Sequence, residues 1–261
     1  MTTASAPHLT VTPAENNLGA RVEGIDLTAG GDDAVVAQLR ALLLLHHVVV
    51  LPGQKLTALE LEAFARRWGE LLTHPASQHR DTPNIQFIRG SGAIGNFGTW
   101  HSDMTWHPTP PTITMLHAQL LPKTGGDTAF ANHHLAYDTL PEHLREVLDG
   151  ARAFHSAKVF GPDTPDSVHP AIRTHDESGK KALYLNMAFT RYLVDVDRDI
   201  SKTVMGEALL HATRVEFTYR HKWQLHDLVI WDNRSVMHCP AMDYEGKRFM
   251  HRAVVKGDAP A

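Results

Sequence analysis

The stretch Leu228-Val229-Ile230-Trp231-Asp232-Asn233-Arg234-Ser235-Val236-Met237-His238 decides how the chain is read. Four apolar residues run into a polar turn, and a histidine follows. An apolar run this short, bounded by turn residues, suits a buried strand better than a helix. Similar segments lie on both sides of it: Ile85 to Ile88, Ile113 to Ala118, Arg152 to His155, Ala171 to Thr174, Ala182 to Asn186, Val215 to Tyr219 and Phe249 to Val255. Helical stretches interrupt them at Pro141 to Leu148 and Lys202 to Ala212. Many short strands with few helices predict an α+β protein with a mainly β core, built on a barrel or a sandwich. Parallel βαβ repeats, a Gly-rich phosphate loop and a G-x-S-x-G elbow are all missing, which sets aside a Rossmann fold.

Toward the N-terminus the pattern is more helical. Val22 to Leu27 reads as a strand entering a turn at Gly30-Gly31, and Asp32 or Asp33 caps a helix through Leu39 and Leu43. Val48 to Leu51 is β-branched and stops at Pro52-Gly53, as a buried strand does. Thr57-Ala58-Leu59-Glu60 is a capping box. Leu61, Phe64, Ala65, Trp68 and Leu72 then recur at helical spacing, with Gly69 near the end.

Composition narrows the function classes. The chain has 261 residues, 43% hydrophobic and 21% charged, which suits one globular domain over residues 1–261. Residues 1–13 are small and polar and read as a flexible lead-in without a secretory leader. The net charge of −4 gives no basic footprint for nucleic acid. No window holds the roughly 18 apolar residues that span a bilayer, so the expectation is a cytoplasmic protein that contacts no membrane. The chain carries 19 His and a single Cys. That excludes an internal disulfide and any Cys-based zinc site, and it directs attention to nitrogen and oxygen ligands.

One segment supplies them. In Trp100-His101-Ser102-Asp103-Met104-Thr105, residues two apart on a strand share a face, so His101 and Asp103 can meet at one point. With one distant His they make a 2-His-1-carboxylate set that leaves three metal positions open. The spacing alone is weak, since a second His-x-Asp stands at His79-Arg80-Asp81. His238 provides the distant imidazole. In Arg248-Phe249-Met250-His251-Arg252 the two arginines share a parity and His251 points the other way. Two same-facing guanidiniums in an apolar strand need anionic partners, and a dicarboxylate co-substrate at a metal site offers them.

With these pieces in order, the sequence resembles the taurine dioxygenase / 2,4-dichlorophenoxyacetate dioxygenase family of Fe(II)- and 2-oxoglutarate-dependent oxygenases. The resemblance runs from Gly19-Ala20-Arg21-Val22 through Trp68-Gly69-Glu70 to the C-terminus. It is strongest at Trp100-His101-Ser102-Asp103, Gly125-Gly126-Asp127-Thr128, Val229-Ile230-Trp231-Asp232-Asn233-Arg234 and Arg248 to Arg252. It implies a double-stranded β-helix (a jelly-roll, cupin-like fold) with flanking helices. It also implies Fe(II) on His101, Asp103 and His238, with 2-oxoglutarate and O2 as co-substrates. By the same resemblance Arg248 pairs with the distal carboxylate of 2-oxoglutarate and Thr128 donates its hydroxyl to it. Arg252, His74, Phe160 and Phe189 fall at substrate-contacting positions, and Asn96 lies close enough to the metal motif to line the pocket. The implied reaction hydroxylates a small anionic substrate (a sulfonate, sulfate ester, carboxylate or amino-acid derivative) and releases succinate and CO2. Where the hydroxylated carbon bears a heteroatom, the product fragments. Asp103 favours oxygenation over halogenation, which needs that position open for chloride. A homo-oligomer is the family default.

Blander readings stand beside these. Arg248 and Arg252 could be structural ion pairs, Thr128 a strand hydroxyl bonded to backbone, and Phe160 and Phe189 core aromatics. Trp231-Asp232-Asn233 shapes the turn before His238, Cys239 is a small buried side chain, and His46-His47 and His133-His134 are structural or solvent-facing. The same residues could also hold a metal without turnover, or hold zinc in a hydrolase.

Overall fold

The computed structural model describes residues 9–14, 18–73, 81–91 and 98–261. The chain begins with β1 (Thr10–Pro13), β2 (Ala20–Glu23), α1 (Asp33–His46), β3 (Val48–Leu51) and α2 (Ala58–Arg66). It continues through β4 (Gln86–Gly90), β5 (Ile113–Leu120), β6 (Thr128–Asn132), α3 (His133–Asp138), α4 (Glu142–Leu148), β7 (Arg152–Ser156), β8 (Asp166–Pro170), β9 (Ile172–Thr174) and β10 (Lys181–Leu183). Last come β11 (Thr190–Val194), α5 (Arg198–Ala212), β12 (Thr218–His221), β13 (Leu228–Asp232), β14 (Val236–Pro240) and β15 (Arg248–Val255).

The larger sheet has seven strands in the order β1-β2-β3-β13-β5-β15-β4. A three-stranded sheet, β12-β6-β14, lies across from it, and a second three-stranded sheet, β11-β7-β8, and the pair β10-β9 sit behind. Side-chain alternation builds the layers. Val49, Leu51, Leu228 and Ile230 face outward onto Leu39 and Leu43 of α1 and Leu61 and Phe64 of α2. Val48, Val50, Val229 and Trp231 face inward, against Phe130 of β6 and Val236 of β14. The far side of the small sheet, Ala131 and Met237, is covered by Leu144 of α4 and by Met205 and Leu209 of α5. Trp231, 1% exposed, is the largest side chain between the sheets. Its truncation to Ala should cost about 3–5 kcal/mol. The result is the jelly-roll (double-stranded β-helix) arrangement with flanking helices. Of the two architectures open at the sequence level it is the sandwich: among the described residues the strands form open sheets, and none closes into a barrel.

Several expectations shift. Residues 10–13 are not a flexible lead-in: β1 pairs antiparallel with β2, and Leu9 and Val11 pack on the core. The β-branched residues Thr10, Val11 and Thr12 make a strand whose polar members hide it in a hydropathy reading. The strand expected over 22–27 is β2, and Asp26 then caps a 3-10 turn at Leu27–Ala29. α2 ends at Arg66, and Leu71 instead bridges Val255. Val215–Phe217 is a 3-10 turn ahead of β12. Cys239 is half-buried rather than buried. Asp32 and Thr57 cap their helices as expected, the latter in a full capping box. Among the described residues no helix is long and apolar enough to cross a membrane.

The turn between β13 and β14 is braced by buried charge. Asp232 accepts from Arg234 Nη2 at 2.6 Å and meets His175 Nε2 at 3.0 Å, while Arg234 also reaches Glu177 at 2.7 Å. Each charge has its counter-charge, which is the condition for keeping such groups inside. The turn feeds directly into the strand that carries His238.

Candidate active site

His238 lies on the inward face of β14, its ring 4.8 Å from that of Trp231 and 6.2 Å from that of Phe130. His101 is joined to it by a single antiparallel bridge: His101 N donates to His238 O at 2.9 Å and His238 N donates to His101 O at 2.7 Å. The two imidazole centroids are consequently 4.1 Å apart. Asp103 is not on a strand with His101, as the spacing suggested. It lies in the turn that follows, where the Asn233 side chain accepts its N–H at 2.6 Å and donates to its carbonyl at 3.0 Å. Thr105, two residues on, accepts from Asn186 Nδ2 at 2.9 Å and meets His155 Nδ1 at 3.0 Å, so both ends of the turn are anchored.

The three side chains converge. Asp103 Oδ1 lies 3.8 Å from His101 Nε2 and 3.7 Å from His238 Nε2. They form the one cluster of three such groups among the described residues whose ligand atoms lie within 4.8 Å of one another. His101 Nδ1 donates to Thr99 O at 2.8 Å, which leaves the lone pair on Nε2, facing Asp103. His238 Nδ1 is buried without a partner. Thr114, on the inward face of β5, donates to Asp103 Oδ2 at 2.7 Å. Burial alone would raise the Asp103 carboxyl, but the Arg252 guanidinium, the two imidazoles and the Thr114 hydroxyl outweigh it and hold it well below the usual carboxylate range. Burial, and then the neighbouring His101, push His238 far below its ordinary value. Two imidazoles and one carboxylate that converge on one point suit a divalent metal.

A second polar feature begins on β15, the strand whose Arg252 reaches Asp103. Arg248 is buried, and its Nε and Nη2 have no partner. Burial pulls its guanidinium below its ordinary value, against the smaller opposing effects of Tyr244 and Asp127. Its Cζ stands 5.6 Å from the centre of the Trp223 ring, and Trp223 Nε1 donates to Thr128 Oγ1 at 3.0 Å. Thr128 reaches this place because Gly125 and Gly126 both turn through positive φ, 73° and 74°. A Cβ at Gly125 would run into the Asp243 carbonyl.

Arg252 differs from expectation in one respect. Its Nη2 is 2.6 Å from Asp103 Oδ1 and its Nη1 donates to Gln86 at 3.2 Å, so it touches the carboxylate cluster directly. His251, of opposite parity, stacks on Phe87 at 4.6 Å. Phe189 meets His101 edge-on at 6.1 Å and Phe160 at 6.1 Å, and Phe160 is 70% exposed, so Phe160 is a rim residue rather than core. His74 and Asn96 lie outside the described residues, as do His79 and Arg80 of the second His-x-Asp. Thr114 and Trp223 were missed by sequence reasoning. The parity of Thr114 inside the apolar run Ile113 to Ala118 was a usable signal, because it places a lone hydroxyl on the inward face.

A family profile described as "Taurine catabolism dioxygenase TauD, TfdA family" matches residues 10–254. The chain belongs to that family. An alpha-ketoglutarate-dependent sulfate ester dioxygenase of Pseudomonas putida is 32% identical, the match covering 98% of this chain and 93% of that one. An alkylsulfatase of Acinetobacter baylyi is 33% identical over 92% of this chain and 83% of its own. Among solved structures, a taurine dioxygenase from Burkholderia xenovorans superposes with a TM-score of 0.88 at 35% identity, covering 98% of this chain and 91% of that one. This TauD/TfdA chain is accordingly an oxidoreductase of the 2-oxoglutarate-dependent dioxygenase type. The family implies 2-oxoglutarate, O2 and Fe(II), and the His101, Asp103 and His238 cluster fits such a metal.

Proposed function

We propose that the chain forms one catalytic domain of an Fe(II)- and 2-oxoglutarate-dependent oxygenase that hydroxylates a small anionic substrate and releases succinate and CO2. The observation that carries this reading is the buried Arg248, whose Nε and Nη2 have no hydrogen-bond partner, on the same strand as the Arg252 that touches the His-Asp-His cluster. A zinc hydrolase or a passive metal binder has no use for a second, dedicated anion site there. His101, Asp103 and His238 would hold the iron, which when bound supplies the O2 activation and oxidising power. Arg248 and Thr128 would fix the distal carboxylate of the co-substrate, and Arg252 would meet the substrate's anionic group through its buried, unpartnered Nε. Phe189 and Phe160 would cover the His101 side and exclude water. The relatives named above support a sulfate ester or sulfonate. Hydroxylation of the carbon that bears the heteroatom would fragment the product to a carbonyl compound and the inorganic anion.

Anaerobic addition of Fe(II) and 2-oxoglutarate tests the reading. A visible charge-transfer band that bleaches on admitting O2, with succinate formed, is expected. Absence of the band with intact metal binding would overturn it. Succinate release across a panel of alkyl sulfates, sulfonates and carboxylates then ranks the substrates.

A further inference from the structure

We propose that Trp223 is a positioning residue for the co-substrate: it orients the Thr128 hydroxyl and seats the Arg248 guanidinium, so that two groups from different strands act as one carboxylate clamp. The inference rests on the reading of Arg248 and Thr128 above. Trp223 follows β12 and lies outside every motif that carried the resemblance.

Its indole Nε1 is 3.0 Å from Thr128 Oγ1. An indole N–H can only donate, whereas a hydroxyl both donates and accepts. Thr128 must therefore accept from Trp223, and its own hydrogen is left to donate elsewhere. Among the described residues nothing accepts it. The indole thus converts an ambivalent hydroxyl into a fixed donor, the polarity that a carboxylate requires.

The same ring supports Arg248, with Cζ 5.6 Å from its centre. A carboxylate in that place would occupy the guanidinium fork. An aromatic face stabilises the cation while leaving the N–H groups free for a ligand. Asp127, the acidic residue nearest in sequence to Thr128, is withdrawn from competition by Arg220, whose Nε donates to it at 2.7 Å. The indole is itself held in place. His221 meets it edge-on at 4.7 Å and lies 3.1 Å from Asp227, which accepts the Gln224 N–H at 2.9 Å and closes the loop.

The clamp should read the distal carboxylate alone. The test compares 2-oxoglutarate with pyruvate, a 2-oxo acid without that carboxylate, by anaerobic calorimetry on the Mn(II)-loaded protein. Trp223→Phe keeps the ring and removes the N–H. It should weaken 2-oxoglutarate binding about tenfold and leave pyruvate unchanged. Trp223→His, which restores a ring N–H, should recover part of the loss. In a Thr128→Val background Trp223→Phe should add nothing further. The proposal is overturned if the Phe variant binds 2-oxoglutarate as the unsubstituted protein does, if both acids weaken equally, or if the loss persists in the Thr128→Val background. Should the unsubstituted protein show no preference for 2-oxoglutarate over pyruvate, the co-substrate reading fails, and the proposal with it.

Discussion

Asn233 grips Asp103 from two sides of one residue, accepting its backbone N–H at 2.6 Å and donating to its carbonyl at 3.0 Å. The same amide donates to Pro111 O at 3.1 Å. A turn residue of the larger sheet therefore holds the carboxylate in register with His238, five residues further on. Asn233→Ala would leave three backbone groups without their partner in a buried place. The expected cost is about 2–5 kcal/mol of stability together with weaker metal binding. Urea unfolding and Mn(II) titration measure the two effects, and an unaltered Mn(II) affinity would rule out a placing role for Asn233.

Thr114 acts on the other side of the same carboxylate. Thr114→Val keeps the shape and removes the donor to Oδ2, so metal affinity should fall about 10–100-fold. Thr114→Ser should restore most of it. Free Mn(II) counted by electron paramagnetic resonance reads the difference, and equal affinities for the Val and Thr proteins would contradict this role.

Arg248 should show opposite effects on stability and binding. Without an anion its charge is a burden to the fold, so Arg248→Met should melt at or above the temperature of the unsubstituted protein when no ligand is present. The variant should lose the stabilisation that 2-oxoglutarate confers, and the KM for 2-oxoglutarate should rise by the equivalent of about 2–5 kcal/mol. Melting curves with and without the acid decide; a variant still stabilised by it would contradict the assignment.

Arg252 should discriminate between the two organic substrates. Arg252→Ala is expected to raise the KM of the primary substrate far more than that of 2-oxoglutarate. Equal rises would mark Arg252 as a support for Asp103 and nothing more.

The histidines set the acid limit of the fold. Burial pushes His47, His133 and His155 down to about 3 and His117 down to about 4, from 6.5. Between those values the unfolded chain binds protons that the folded one refuses. Their contribution is complete above pH 6.5 and is lost progressively as pH falls toward 3 to 4. Each such group contributes a slope of about 1.4 kcal/mol per pH unit. Urea midpoints from pH 7 to pH 5 should therefore decline steeply, and a flat profile would show these imidazoles to be protonated in the folded state.

The parts of the molecule that were legible in sequence are those where chemistry and periodicity coincide. His101, Asp103 and His238 were readable because two donors lie close in sequence and the third ends an apolar strand. β13 and β3 were readable because a strand buried on both faces is a continuous apolar run. β6 was not, since Thr128-Ala129-Phe130-Ala131-Asn132 alternates small residues with one aromatic. β14 was hidden because its inward positions are shared between Val236 and a polar histidine, His238. Trp223 had no signal at all: its role depends on a loop folding back against a strand more than ninety residues earlier in the chain.

The backbone bridge between His101 and His238 also determines when, in the life of a newly made chain, the site can exist. A ribosome-bound chain that stops short of β14 owns one imidazole and one carboxylate and cannot complete the set. A metal that needs all three side chains can therefore bind only once β14 has been made and paired with His101. The three apolar layers include none of these side chains, so protein stripped with a chelator should keep its fold.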